Sequence, residues 1–404
     1  MNDPLAGLDD IDWARLRHAY GSAADVPGQL RGLRGSPAER ERALGDLYGN
    51  IFHQGSRYEA TAPAVPFLLA LLADPATPDR GDLTYLLVGI AIGFDESFLP
   101  AGVDIAGWRA EVDRMRAADP AEEERKLDAW VAEAADEAER RSREWRRSLM
   151  DFRDNLMFAE AELAAYDAVR AGTSVFRELL VQDDPGLRAS GAYLLAWFPE
   201  EAATSIPALR SLLAAETVAP IAANALVALG LLADHEAAPL LREQLAGEDP
   251  LLRWAAAIAL ARIGSTDQDV IGELATAAAS PPEQGTLQVA YCEGDLRGYA
   301  ARTLAAMIDP PSGTLSHVLD GLARTSEIAA FPMTAAALQM AFGPAQSPAA
   351  RAPSFAELTK AQRQTVQVLA DLDTKTWQWV NFIEIIEAWG LPRDRDEFRT
   401  YARL

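Results

Sequence analysis

Cysteine is almost missing from this sequence: Cys292 is the single one among 404 residues. No intrachain disulfide can form, so stability must come from buried apolar area, and the usage fits a reducing compartment. Histidine is nearly as scarce. His18, His53, His235 and His317 stand far apart, with no His-Glu-x-x-His pair and no paired cysteines at zinc spacing. Glycine-rich phosphate cradles of either common spacing are absent, and so is a Gly-x-Ser-x-Gly nucleophile elbow. Cys292 lies beside Glu293 and Asp295, whose negative charge disfavours a thiolate. The local motifs of a metal, nucleotide or hydrolase centre are therefore lacking, and the expectation is a noncatalytic chain without a cofactor.

Positive charge is short as well. Thirty-seven basic residues face 60 acidic ones, a formal net charge of −23. A nucleic-acid binder needs a dense Lys/Arg surface to release counterions, so this balance argues against one. It suits a basic protein partner, or it serves solubility alone. Long apolar runs are missing too: Ala64–Ala73 and Leu83–Ile92 are too short to span a bilayer. The opening Met1-Asn2-Asp3-Pro4-Leu5 is acidic and does not read as a secretory leader. A cytoplasmic location is expected.

What is present is alanine and leucine in helical patterns, with 49% hydrophobic and 24% charged residues. β-Branched alternation is rare, which points to helices. Asp184-Pro185-Gly186-Leu187-Arg188 precedes an alanine- and leucine-rich run, and Asp249-Pro250-Leu251-Leu252-Arg253 precedes another. Arg188 and Arg253 are 65 positions apart, two repeats of about 32 or 33 residues. A middle copy spans 218–230 without the arginine, and a fourth spans 295–310 without the proline. Asp caps the first helix of each unit, Pro tolerates its first turn, and Pro199, Gly230, Gly264 and Pro310 read as breaks before the second helix.

These motifs resemble the bacterial HEAT-like repeats first noted in phycobilin lyases. The resemblance implies an all-α fold, an α-solenoid (superhelix) of HEAT-like antiparallel helix pairs with a charged helical insertion. Segments 13–20 and 53–66 are similar to a recurring N-terminal module of actinobacterial HEAT-like proteins of unassigned role. Two enzymatic precedents come with the resemblance, a HEAT-like DNA glycosylase and a tetrapyrrole lyase. The first needs a basic concave face that this composition does not supply, and the second has only the generic repeat behind it.

The chain divides into five expected parts. Residues 1–110 read as divergent helical repeats, with Asp9–Gly21 as a capping helix, and 111–172 as an insertion of one or two long charged helices. The regular array occupies 173–330, a Gly/Ala/Pro/Ser-rich linker 331–353, and a helical capping module 354–404. Arg140–Arg147, interleaved with Glu139 and Glu144, reads as a solvated face or a docking stripe for an acidic partner. Solenoids bind along a concave surface lined by one helix of each pair. Tyr193, Trp197, Asn224, Trp254, Arg262, Tyr299 and Arg302 are the candidates there, and His53, Arg57 and Tyr58 are those of the polar, aromatic 53–61 connection. Arg188, Arg253 and Arg297 recur at one position and should bond carbonyls or acids of adjacent repeats. The function expected is a protein–protein interaction scaffold, regulatory or toxin-neutralising.

Overall fold

A computed structural model describes residues 3–307, 313–345 and 352–404. It is all-α apart from two hairpins of two-residue strands. No helix among the described residues is long and apolar enough to cross a membrane. The chain forms two compact units, one of residues 1–95 and 103–178, the other of 96–102 and 179–404.

The first unit opens with 3-10 turns at Leu8–Asp10 and Trp13–Arg15 and then a hairpin, β1 (Arg17–His18) with β2 (Gly21–Ser22). Asp9–Gly21 is therefore not the capping helix its apolar spacing suggests. Buried Trp13 donates its indole N–H to the Leu8 carbonyl, which fixes a tight turn where a helix would carry the ring away. Helices α1 (Val26–Gly32) and α2 (Pro37–Asn50) follow, the latter started by a reciprocal Ser36–Glu39 capping box. A second hairpin, β3 (Phe52–His53) with β4 (Ser56–Arg57), leads into α3 (Thr61–Ala73) and α4 (Leu83–Ile92).

Helices α5 (Ile105–Ala117), α6 (Pro120–Ala132), α7 (Glu137–Ser148), α8 (Phe152–Arg170) and α9 (Thr173–Leu179) complete the region. The expected one or two long helices are three, α6 to α8, because Asp136 and Asp151 each cap a new start. Only α6 and α7 have the character of an insertion. Leu163, Ala165, Tyr166 and Val169 of α8 are buried, and α8 packs on α3, α4 and α5.

In the second unit the helices follow in sequence as pairs, α10 (Pro185–Leu195) and α11 (Ala202–Ala215), α12 (Ala219–Leu231) and α13 (Ala238–Leu245), α14 (Pro250–Arg262) and α15 (Gln268–Ala279), α16 (Leu296–Ala306) and α17 (Thr314–Leu322). Each pair packs on the next, α10 and α11 on α12, α12 and α13 on α14, and α15 on α16 and α17. Asp184 accepts from the amides of Gly186 and Leu187 at 2.7 and 3.2 Å, and Asp249 from those of Leu251 and Leu252 at 2.8 and 3.3 Å. Asp295 caps α16 through the Gly298 amide at 2.9 Å. Gly264 closes α14 with φ +96°, as a break should. Gly230 does not break the chain. It lies inside α12, where a Cβ would come 2.6 Å from the Ala259 Cα of α14. The expected break at Pro310 lies outside the described residues.

Residues 331–342, expected to be linker, belong to α18 (Ala330–Phe342), buried through Met333, Thr334, Ala336, Ala337 and Leu338 and packed on α16. Gly343 ends it at φ +81°. Of the expected linker, 346–351 lies outside the described residues. Beyond it, α19 (Lys360–Asp371), α20 (Val380–Glu387) and α21 (Arg395–Tyr401) gather around Trp377, whose ring centroid is 5.0 Å from those of both Phe382 and Phe398. Helix α19 packs on α17 and α18.

Two glycines with opposite surroundings test this packing. In a free helix Gly→Ala stabilises by about 0.5–1 kcal/mol. Gly272→Ala should gain that much, since α15 is exposed there and nothing lies within 4 Å of the new methyl. Gly230→Ala should instead cost about 1–3 kcal/mol, because backbone cannot yield as a side-chain tip can. Urea unfolding of the two variants should therefore move in opposite directions.

Candidate binding surfaces

The 53–61 connection is a tight turn, and sequence carries its signal in Gln54-Gly55. Both have positive φ (50° and 88°), the geometry that a two-residue hairpin loop requires. Thr61 then anchors the exit: its hydroxyl donates to the Ile51 carbonyl at 2.6 Å and accepts from the Tyr58 amide at 2.8 Å. Of the three candidates here, His53 and Tyr58 are half-buried, while Arg57 is buried with its guanidinium bonded to the Gly55 carbonyl. Arg57 is also 3.5 Å from Glu162 of α8. Burial pushes the Glu162 carboxyl above its usual value against the opposing pull of Arg57, and burial lowers the Arg57 guanidinium from its own. Arg57 is thus a structural clamp between hairpin and helix.

His53 faces the ring of exposed Tyr20 at 5.4 Å, and Tyr20 also lies 6.4 Å from the ring of His18. His18 Nδ1 accepts from the Tyr20 amide at 3.0 Å, so Nε2 carries the proton and donates to Asp25 at 2.9 Å. Both nitrogens of His18 are engaged within the protein. Among the described residues, no three His, Cys, Asp or Glu gather as a metal cluster.

The array candidates divide by burial. Tyr193, Trp197, Asn224, Trp254 and Tyr299 are all at most 4% exposed, so they are core residues and present no contact surface. The α15–α16 connection covers Tyr193, Trp197, Asn224 and Tyr299, and α16 covers Trp254. The Tyr291 ring of the connection lies 5.0 Å from Tyr193, 5.8 Å from Trp197 and 6.2 Å from Tyr299. Asn224 holds the same loop: its side-chain oxygen accepts from the Ala290 amide at 3.0 Å, and its backbone carbonyl accepts from the Tyr291 hydroxyl at 3.2 Å. Trp254 donates to the Leu296 carbonyl at 3.1 Å. Arg262 and Arg302 are half-buried, Arg262 against Gly102 and Arg302 bonded to the Glu96 carbonyl, so both meet the returning 96–102 segment.

The repeat arginines do what their position suggests. Arg188 donates to the carbonyls of Gln182 and Asp183, both at 2.9 Å, and Arg253 to those of Gly247 and Glu248 at 3.2 and 2.8 Å. Each also reaches an acid of a following element, Arg188 to Glu216 at 2.8 Å and Arg253 to Glu273 at 3.3 Å. Arg297 donates to the Gly321 carbonyl at 2.9 Å. Arg210–Asp234 at 2.5 Å and Arg242–Asp267 at 2.6 Å add the same link between successive pairs.

Capped first helices, alanine-rich contacts and arginines reaching forward make one recurring unit. Residues 206–293 match the family of HEAT repeats. The array is built of HEAT-like repeats. An engineered protein of known crystal structure aligns over 94% of this chain and 97% of its own, at 17% identity and a TM-score of 0.25. No curated protein matches the chain.

Two outcomes test these assignments. Tyr291→Ala should lower stability by about 3–5 kcal/mol, the usual cost of emptying a packed aromatic site. Buried Cys292 beside it should then react faster with a thiol reagent than in the unaltered protein. For the clamp, Arg57→Leu leaves Glu162 with burial alone, raising its folded pKa further above the unfolded value. The native state then binds the extra proton, so stability should fall as pH rises through that interval. Urea midpoints for Arg57→Leu should show a larger loss at pH 7 than at pH 5.

Proposed function

We propose that this protein is a noncatalytic protein-interaction scaffold of the bacterial HEAT-like group, acting as a regulatory or toxin-neutralising binder of a basic protein. The observation that carries the reading is the HEAT-like array, an architecture that commonly mediates protein contacts. Charge supports the choice of partner. Arginines 188, 210, 242 and 253 are neutralised by acids of neighbouring elements. Glu243, Glu248, Asp269 and Asp320 remain exposed on the array, so its surplus charge is acidic. A basic partner would be steered to such a surface, with an on-rate that falls as salt rises. Because the aromatic candidates are buried, docking on the array uses its exposed edges and outer helices.

The test is capture of the full chain with its native partner, followed by reconstitution from purified components. One basic protein should copurify, and its association rate should drop several-fold between about 0.05 and 0.3 M salt. Tight, salt-sensitive binding of duplex DNA with no protein partner would contradict the proposal and favour the glycosylase. A tetrapyrrole-induced absorbance change would favour the lyase.

A further inference from the structure

Helix α7 differs from the rest of this acidic chain. Its inward arginines are satisfied: Arg143 pairs with Glu139, donates to the Trp130 carbonyl and lies 5.2 Å over the Trp130 ring, while Arg147 bonds Glu124 and Asp128 of α6. Arg140 is paired with Glu137 along the helix. The outward side is different. Arg141 and Arg146 are exposed, as is Arg153 at the start of α8, and none has an ion pair or side-chain hydrogen bond with any of the described residues. Between them stand Trp145 at 65% exposure, Leu149 at 67% and Met150 at 37%.

Arg141, Trp145 and Leu149 are spaced by four, so they share one face of α7 and its C-terminal turn. Neither packing nor capping explains a solvent-facing tryptophan flanked by unpaired arginines. Aromatic and arginine side chains are the ones that supply most interface energy. We propose that this strip docks an acidic amphipathic helix of a partner protein, its apolar side chains on Trp145 and Leu149 and its carboxylates on Arg141, Arg146 and Arg153. The inference rests on the scaffold reading but concerns a different surface and the opposite charge.

Charge decides the class of occupant. Screening limits each charge to about 8–10 Å at physiological salt, so a short acidic segment on the strip feels the arginines first. A nucleic acid or an anionic membrane extends far beyond the strip and meets a chain of net charge −23. Among the neighbouring acids, Glu144 lies 3.9 Å from Arg140, and Asp151 accepts from the amides of Arg153 and Asp154. They narrow the basic strip without cancelling it.

The experiment titrates the full chain against a fluorescein-labelled acidic amphipathic peptide with a Leu/Phe face and a Glu face. The same peptide with Lys for Glu, a duplex DNA and phosphatidylserine vesicles are the comparisons. The acidic peptide should bind best, and Trp145→Ala and the triple variant R141E/R146E/R153E should each weaken it by about tenfold or more. All four positions are exposed, so the variants should keep the wild-type urea midpoint. Unchanged peptide affinity in both variants, no binding by the wild type, or Trp145-dependent preference for DNA or vesicles would overturn the proposal. The native partner separates the two readings. If a basic partner is captured while the acidic peptide does not bind, or binds wild type and both variants equally, the α7 inference fails and the scaffold stands. If no protein partner exists, the scaffold reading fails.

Discussion

Near-contact of backbone with backbone between α12 and α14 is the constraint on which the array depends. Gly230 has no Cβ because Ala259 occupies its place, and the two helices pack on each other with Ala222, Ala223, Ala225 and Ala228 of α12 and Ala255, Ala256 and Ala257 of α14 all buried. Small residues allow first helices to approach closely, and each such contact fixes where the next pair can sit. Gly321 repeats the device on the other layer, where a Cβ would collide with the Ala278 carbonyl of α15. The ion pairs from Arg188, Arg210, Arg242 and Arg253 lie at the margins of these contacts and hold successive elements in register.

Where that close approach stops, a different solution takes over. Between α14 and α16 the chain inserts Ser280–Asp295, and Tyr291 enters the space beside Tyr193, Trp197 and Tyr299. The loop turns through Cys292, Glu293 and Gly294, all with positive φ (51°, 52° and 83°). For two non-glycine residues that backbone costs about 1–2 kcal/mol each. Burying Tyr291 and satisfying the Ala290 amide through Asn224 offset it, and Gln284 braces the turn by donating to the Gly294 carbonyl at 2.9 Å and accepting from the Val289 amide at 2.8 Å. The aromatic residues of the first helices are consequently interior. The surfaces proposed for a partner are acidic edges in one unit and the Trp145 strip in the other.

The features that sequence made legible are those with a fixed local grammar. Asp184-Pro185 and Asp249-Pro250 announce helix starts because capping is decided within three residues. The arginine four positions later announces its carbonyl partners for the same reason. Residues whose role depends on distant chain were not legible. Trp197 and Trp254 have the same spacing whether they face solvent or a stretch of chain that arrives more than forty residues later. Alanine and glycine near 330–342 suit a linker and a tightly packed helix equally, and only burial against α16 separates the two. The two hairpins are too short for period-two alternation, although Gln54-Gly55 was a usable signal for one.

Hydrogen exchange at the Ala290 amide tests most directly whether this array is sealed. That amide donates to the side chain of Asn224 from within a connecting loop. If the loop is a packed part of the core, its protection should approach that of the α12 amides, opening only with most of the unit. Exchange at the rate of an ordinary surface loop would contradict the account and return the aromatic face to the list of binding surfaces.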